Sequence, residues 1–423
     1  MVAQITAQQE QKRALDGLVP LDHVNWYREQ VVFLTGGTGS LGSCLLYKLA
    51  LQLPTARIYI LCRGTANEAI QKWEACMPEQ IDEILDSGKV HLIRGDMNQE
   101  GFGLSPEDVQ RLQDEVTIVL HAAADISLAQ SLPASIRTDA LPVVRLARLA
   151  QSFTNITLLT HISSTFAQMH LPSGTIPEHI VKVDPINEPP PETQLTSILA
   201  TGKSPYAHHF ITPYAQAKYL AEQLLLTYTP HYPILIVRPS SISPALRDPF
   251  PLYGPDGAIP LHNFLAGAIV RGYDVAEIVN GLPQHYIFDE IPVDLVANIT
   301  LLHMAVGTLG IVHAAAQLHI PMTIGELSAR ARSASPKEIV ERIALNATGQ
   351  RGVGGGLGQA RNLPLDFHRL LMEEWRDWVF DCGRSEGIRG TTGPIGLAVE
   401  HDFEAVLRER VRRWSRQFVA LMG

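Results

Sequence analysis

Short apolar runs recur along the first half of the chain, with stretches of helical periodicity between them. The runs predict strands at Val31–Thr35, Ile58–Cys62, Val90–Arg94, Ile118–His121, Thr157–Ile162 and Ile234–Val237. Apolar positions three and four apart predict helices at Leu41–Leu51, Ala69–Cys76, Pro133–Gln151 and Pro213–Tyr228. Near-continuous apolar strands alternating with helices read as a parallel sheet covered on both faces. The predicted fold is therefore α/β, a Rossmann-like doubly wound parallel sheet with a smaller, mainly helical C-terminal substrate domain. Residues 1–28 read as a polar leader and 29–300 as the sheet domain, with substrate-side insertions near 170–212 and 240–290. Residues 301–423 read as a mainly helical cap ending in a basic amphipathic helix, "FEAVLRERVRRWSRQF". "NEPPPETQ" (187–194) reads as a stiff extended loop, and "GQRGVGGGLGQ" (349–359) as a linker, since no strand precedes its glycines.

The stretch "LTGGTGSLGS" sits between the first predicted strand and the first predicted helix. Its glycines fit either Gly37-x-Gly39-x-x-Gly42 or Gly36-x-x-Gly39-x-x-Gly42. In that strand–turn–helix setting, backbone N–H groups and a helix N-terminus face a pyrophosphate. The cradle would use Thr35, Gly36, Thr38, Gly39, Ser40, Leu41 and Gly42. An NAD site carries an acidic residue at the end of the second strand, for the ribose 2′-OH. Here that position reads Leu61-Cys62-Arg63-Gly64. A guanidinium suits a 2′-phosphate, so NADPH is the expected cofactor. Asp96, followed by Met97, suits either the adenine amino group or a loop cap. Ala122, Ala123 and Ala124 end the fourth strand with side chains small enough to let a cofactor lie close.

"ITPYAQAKYLAEQLLLTY" carries the candidate chemistry. Thr212 fits an N-cap and Pro213 the first helical position. Tyr214 and Lys218 then lie one turn apart on one face. A nearby ammonium lowers a phenol's pKa and makes it a usable proton donor or acceptor. Hydroxyls at Ser163, Ser164 and Thr165 end the fifth strand, at the edge where open α/β sheets bind ligands. "RPSSISP", with Pro239, Ser240 and Ser241, is expected near the nicotinamide.

Composition narrows the setting. A formal net charge of -9 argues against a nucleic-acid binder. Four cysteines without paired spacing suggest neither disulfides nor a metal site, and a reducing, cytoplasmic setting fits. No apolar run reaches the roughly 20 residues of a membrane helix. Arg408–Arg416 leaves room for a peripheral membrane contact, a carrier-protein contact or a solvated helix face. No pattern specifies an oligomer.

The segments "FLTGGTGSLG", "IRGDMNQEGFGLS", "VTIVLHAAADIS", "HISSTFAQ", "PYAQAKYLAEQLL" and "FDEIPVDLVANITLL" resemble the extended short-chain dehydrogenase/reductases. Within them the match is to fatty acyl-CoA reductases and thioester reductase domains, over roughly Val31 to Val306. The resemblance implies a catalytic triad of Ser164 (Ser163 the weaker candidate), Tyr214 and Lys218. It also implies NADPH-dependent reduction of an acyl-CoA or carrier-bound thioester to an aldehyde, with a second hydride giving an alcohol. Lys218 would also hold the nicotinamide ribose. One position departs from the family pattern: Asp139 stands where an asparagine is usual, and Pro142 follows where a glycine is usual. Competing readings are an NAD-dependent nucleotide-sugar epimerase or dehydratase, and a non-catalytic NADPH sensor.

Overall fold

A computed structural model describes residues 20–128, 130–263, 281–334, 376–399 and 403–421. Eleven strands are formed among them: β1 Val31–Thr35, β2 Arg57–Cys62, β3 Val90–Arg94, β4 Ile118–His121, β5 Leu158–Ile162, β6 Gly174–Ile176, β7 Ile234–Pro239, β8 Ser241–Ser243, β9 Glu290–Pro292, β10 Gly310–Ala314 and β11 Trp378–Phe380. Seven build one parallel sheet in the order β10-β7-β5-β4-β1-β2-β3. The chain runs outward from β1 through β2 to β3. It then crosses to β4 on the other side of β1 and runs outward again. That reversal between β1 and β4 opens the crevice in which doubly wound sheets bind ligands.

Strand alternation divides the core. Val32, Leu34, Ile60, Ile118 and Leu120 face one side, with the helices Ser40–Tyr47 and Val293–Ala305. Phe33, Tyr59, Val119, Leu159 and Ile236 face the other, under the helices Leu141–Ala150 and Pro213–Leu226. Val32, Phe33 and Leu34 on β1 are all fully buried, each contributing about 1.5–3 kcal/mol. Val293–Ala305 shows almost no amphipathic signal because it is buried nearly all round.

The six predicted strands and the predicted glycine turn form, and several boundaries move. Pro20–Asn25 and Trp26–Glu29 are helical, and Tyr27 is buried with its hydroxyl donating to the Leu301 carbonyl at 2.7 Å. The expected leader is therefore packed from Pro20 onward. A helix begins at Pro191, inside the stretch expected to be a loop, because proline suits the first helical turn. The sheet takes its last strand from residues 310–314, beyond the expected boundary at 300 and inside the part expected to be mainly helical. β11, from the C-terminal part, pairs with β6 of the 170–212 insertion, and β8 pairs with β9. The linker at 349–359 lies outside the described residues.

The expected helix Pro133–Gln151 is broken. Leu132–Ser135 passes into a π-turn at Ile136–Ala140 before Leu141–Ala150 resumes. Pro142 has no N–H to give the Thr138 carbonyl, and its ring crowds that turn, so the chain widens there. The wide turn carries Asp139, which is buried.

Asp294, of "IPVDLVAN", is also buried, and its carboxylate accepts the backbone N–H groups of Leu246, Arg247 and Asp248 at 3.0, 2.8 and 3.2 Å. Asp294→Ala leaves three donors without an acceptor. Stability is expected to fall by about 2–4 kcal/mol, read as a lower midpoint in urea; an unchanged midpoint would contradict this role.

Candidate active site

At the carboxyl edge, β1, β4, β5, β7 and β10 each carry a polar residue on the same face. These are Thr35, His121, His161, Arg238 and His313, all essentially buried. Thr35 lies opposite His121, His121 opposite His161, and Arg238 opposite His313. The Thr35 hydroxyl and His121 Nδ1 are 2.6 Å apart. The His121 and His161 rings stack at 4.9 Å between centroids. Burial, helped by the charge of Lys218, lowers the His121 pKa to about 3. Burial lowers that of His161 too, with smaller contributions from His121 and Lys218. Both rings are neutral at ordinary pH.

The helix Pro213–Leu226 lies across this row. Its start is as expected: the Thr212 hydroxyl accepts from the Ala215 N–H at 3.1 Å, and Pro213 opens the first turn. Glu222, one turn beyond Lys218, is wholly buried. It accepts from Arg238 at 2.8 and 2.6 Å and from the Ser163 hydroxyl at 2.6 Å. Ser163 is thereby committed to this network, which removes it as a candidate for the reacting oxygen. Thr165 is buried in the turn that follows. Ser164 is half-buried at the turn's N-cap, where its oxygen accepts the Phe166 N–H at 3.2 Å.

Tyr214, Lys218 and Ser164 come together, though not as the expected tuning requires. Burial raises the Tyr214 pKa, the charge of Asp139 adds to the rise, and the Ser164 hydroxyl beside it works in the opposite direction. The Lys218 Nζ lies 5.7 Å from the centre of the Tyr214 ring and 3.8 Å from Asp139 Oδ1, both side chains of that ion pair being buried. Burial lowers the Lys218 pKa while Asp139 opposes the change. Burial raises that of Asp139 against the pull of Lys218. Asp139 thus offsets the ammonium, and Tyr214 rests as a neutral phenol. Asp139 also accepts the Asp125 N–H at 3.0 Å, which ties the loop after β4 to the triad.

The glycine loop follows the Gly36, Gly39, Gly42 reading. Gly36 has φ +75°, and a Cβ on it would lie 2.5 Å from the Ala123 nitrogen. The loop therefore presses against the end of β4, in the crevice at the sheet's reversal. A Cβ on Gly42 would collide with the Gly36 carbonyl oxygen, so that glycine serves the loop's own closure rather than helix–sheet contact. The helix starts at Ser40, with Gly39 as its N-cap. Such a cradle of bare backbone before a helix N-terminus fits a pyrophosphate.

Two supports escaped the sequence reading. The buried Trp73 donates from Nε1 to the Gly37 carbonyl at 2.9 Å, and the Tyr253 hydroxyl donates to the Ser40 carbonyl at 2.8 Å. Arg63 is exposed just past β2, and no hydrogen-bond or ion-pair partner for it is found among the described residues. Asp96 caps its own loop, accepting the Asn98 N–H at 2.9 Å. Met97 is buried, Ala122 and Ala123 are half-buried, and Ala124 is exposed. Pro239 ends β7, and the Ser240 and Ser241 N–H groups bond to the Ala314 and Asp289 carbonyls. In the basic helix Arg410 turns inward to Glu290 at 2.6 and 2.8 Å and Arg412 pairs with Glu409, while Arg408, Arg413 and Arg416 are exposed.

The model of the male sterility protein family, an NAD-binding domain, matches residues 34–300. The chain belongs to that family. Fatty acyl-CoA reductase 2 of Mus musculus is 27% identical over 310 residues, covering 68% of this chain and 56% of that protein. The chain thus spans about half the length of the curated relatives it matches. Among solved structures, the terminal R domain of the myxalamid PKS-NRPS pathway aligns with TM-score 0.62 at 20% identity, covering 94% of this chain and 93% of its own. WbmF of Bordetella bronchiseptica, solved with NAD+ and UDP, aligns with TM-score 0.50 at 17% identity, covering 94% of this chain and 95% of its own. These two likenesses show the fold.

Gly42→Ala tests the cradle. The added methyl group meets the Gly36 backbone and forces the loop to shift. Affinity for a nicotinamide dinucleotide is expected to fall at least about tenfold, or ~1.4 kcal/mol, in a fluorescence titration made well below the variant's own thermal midpoint. Unchanged affinity would remove the loop from the cofactor site.

Proposed function

We propose that the chain is an NADPH-dependent reductase of acyl thioesters, and that Ser164, Tyr214 and Lys218 carry the reaction. The observation behind this is their convergence at the carboxyl edge, beside a glycine cradle that a single Cβ would fill. When bound, the reduced nicotinamide supplies a hydride to the thioester carbonyl carbon. Ser164 and Tyr214 offer hydroxyls to the oxyanion that develops. A phenol held neutral by burial keeps its proton until that charge appears, and Tyr214 then donates it. Collapse of the resulting hemithioacetal expels the thiol and leaves an aldehyde; a second hydride and proton would give an alcohol. Lys218, neutralised by Asp139, steadies Tyr214 and is suited to the nicotinamide ribose hydroxyls.

The relatives named as fatty acyl-CoA reductases support an acyl-CoA substrate. A carrier-bound acyl chain is the second reading, favoured by the alignment of the myxalamid R domain along nearly the whole chain. The exposed Arg408, Arg413 and Arg416 would suit an acidic carrier. The epimerase and sensor readings lose ground to Arg63 and to the complete triad. A cytoplasmic setting remains part of the proposal.

Tyr214→Phe removes the proton donor. Turnover of acyl-CoA or acyl-carrier substrates is expected to fall by about 10²–10⁴-fold, followed as NADPH consumption with product analysis, while NADPH still binds. Activity near wild type would end the triad assignment. Arg63 fits the 2′-phosphate, so Arg63→Ala should weaken NADPH by roughly tenfold or more and leave NADH binding unchanged. A preference for NADH in the wild type, untouched by the substitution, would reverse the cofactor assignment.

A further inference from the structure

Phe166 sits in the turn Thr165–Gln168 that follows β5, and three parts of the molecule meet on it. Its N–H donates to the Ser164 hydroxyl oxygen at 3.2 Å. Its ring meets the Tyr214 ring edge-on, with centroids 6.4 Å apart and planes at 70°. Aromatic pairs in that arrangement attract beyond the area they bury and favour one mutual orientation. Phe166 also packs against two separate apolar clusters. The first includes Ala215 and Tyr219 of the helix that bears Tyr214. The second is Met169, Ile176 and Trp378, at the pairing of β6 with β11. Among the described residues Phe166 is the side chain common to both. Trp378 is fixed in turn, its Nε1 donating to the Leu171 carbonyl at 3.1 Å. A phenol can swing about its side-chain bonds, and a misplacement of about 1 Å can cost about 10²-fold in rate.

We infer that Phe166 is a positioning residue for Tyr214 and Ser164, and that the β6–β11 sheet holds it in place. The backbone of Phe166 sets one hydroxyl of the triad, and its ring sets the other. β11 thereby bears on the reaction without touching the reacting atoms. The kinetic consequence rests on the proposed reductase reading; the structural consequence does not.

Phe166→Leu keeps an apolar side chain for both clusters and removes the ring edge. A crystal structure of that variant is expected to show the Tyr214 hydroxyl displaced by about 1 Å or more, with the helix backbone unmoved. A Tyr214 ring that superimposes on wild type overturns the inference, whatever the enzyme reduces. In kinetics, kcat for the acyl thioester is expected to fall about tenfold or more, with the KM for NADPH near wild type. Phe166→Tyr keeps the ring and should recover most of that loss. Trp378→Leu withdraws the support behind Phe166 and is expected to lower kcat as well. The double variant should then lose little more than Phe166→Leu alone, because residues acting through one contact are not additive. Losses that multiply, or a Phe166→Leu kcat equal to wild type, overturn the inference. A wild-type enzyme that reduces no thioester would sink the proposed function instead, and the structural arm still decides. If Phe166→Leu does not fold, an undisturbed Phe166 and Tyr214 in the structure of Trp378→Leu overturns the inference.

Discussion

The buried ion pair between Glu222 and Arg238 holds the candidate site together. Two charges withdrawn from water cost more than their attraction returns unless every remaining hydrogen-bonding position is used. Here the positions are used. Arg238 reaches both oxygens of Glu222, the Pro177 and His179 carbonyls and His313, and Glu222 also takes the Ser163 hydroxyl. The pair pins the helix bearing Tyr214 and Lys218 to β7, fixes the end of β5, and draws in the insertion after it. Because Ser163 is held below, its neighbour Ser164 is the hydroxyl left to the turn facing Tyr214. Removing one partner would strand the other as a lone buried charge, so the network acts as a unit.

A second compensation sits on the other side of the triad. An ammonium beside a phenol ordinarily makes the phenol more acidic. In this chain Asp139 intervenes, and the π-turn forced by Pro142 is what carries it inward. The acid at 139 and the proline three residues later are therefore one structural feature. The amide of asparagine would leave the lysine's charge uncompensated; the carboxylate absorbs it and passes a negative field on to Tyr214.

Much of the fold was legible because period and punctuation agree in the sequence. "VVFLT" before four glycines and a helical stretch has one common reading, and β1, β3 and β4 formed with the boundaries the pattern predicts. β10 was missed because "GIVHA" is a lone five-residue run with no following helix of clear period, and β6 and β11 because three-residue strands carry no pattern. Tyr214 and Lys218 were singled out by their spacing on a predicted helix together with the glycine fingerprint upstream, not by the spacing alone. The polar row beneath them was not read, although the signal was there: "VVFLT", "IVLH", "LLTHI", "ILIVRP" and "GIVHA" each carry a polar residue at the last or next-to-last position. Such endings look like strand termini when taken singly. Only the register, which sequence does not supply, turns them into a layer. Trp73 and Tyr253 were illegible for the same reason, since each reaches the glycine loop across a long separation.

The pairing of β6 with β11 joins residues about two hundred positions apart, as the bond from the Asp377 N–H to the Ser173 hydroxyl, 204 positions away, makes plain. At about 5–20 residues per second, a ribosome delivers the second strand roughly 10–40 s after the first. The cradle is complete before that interval opens and the triad early within it, once Lys218 is added, while β6 still lacks its partner. The order of birth of the chain therefore places the glycine loop and the triad before the strand that completes the small β6–β11 sheet.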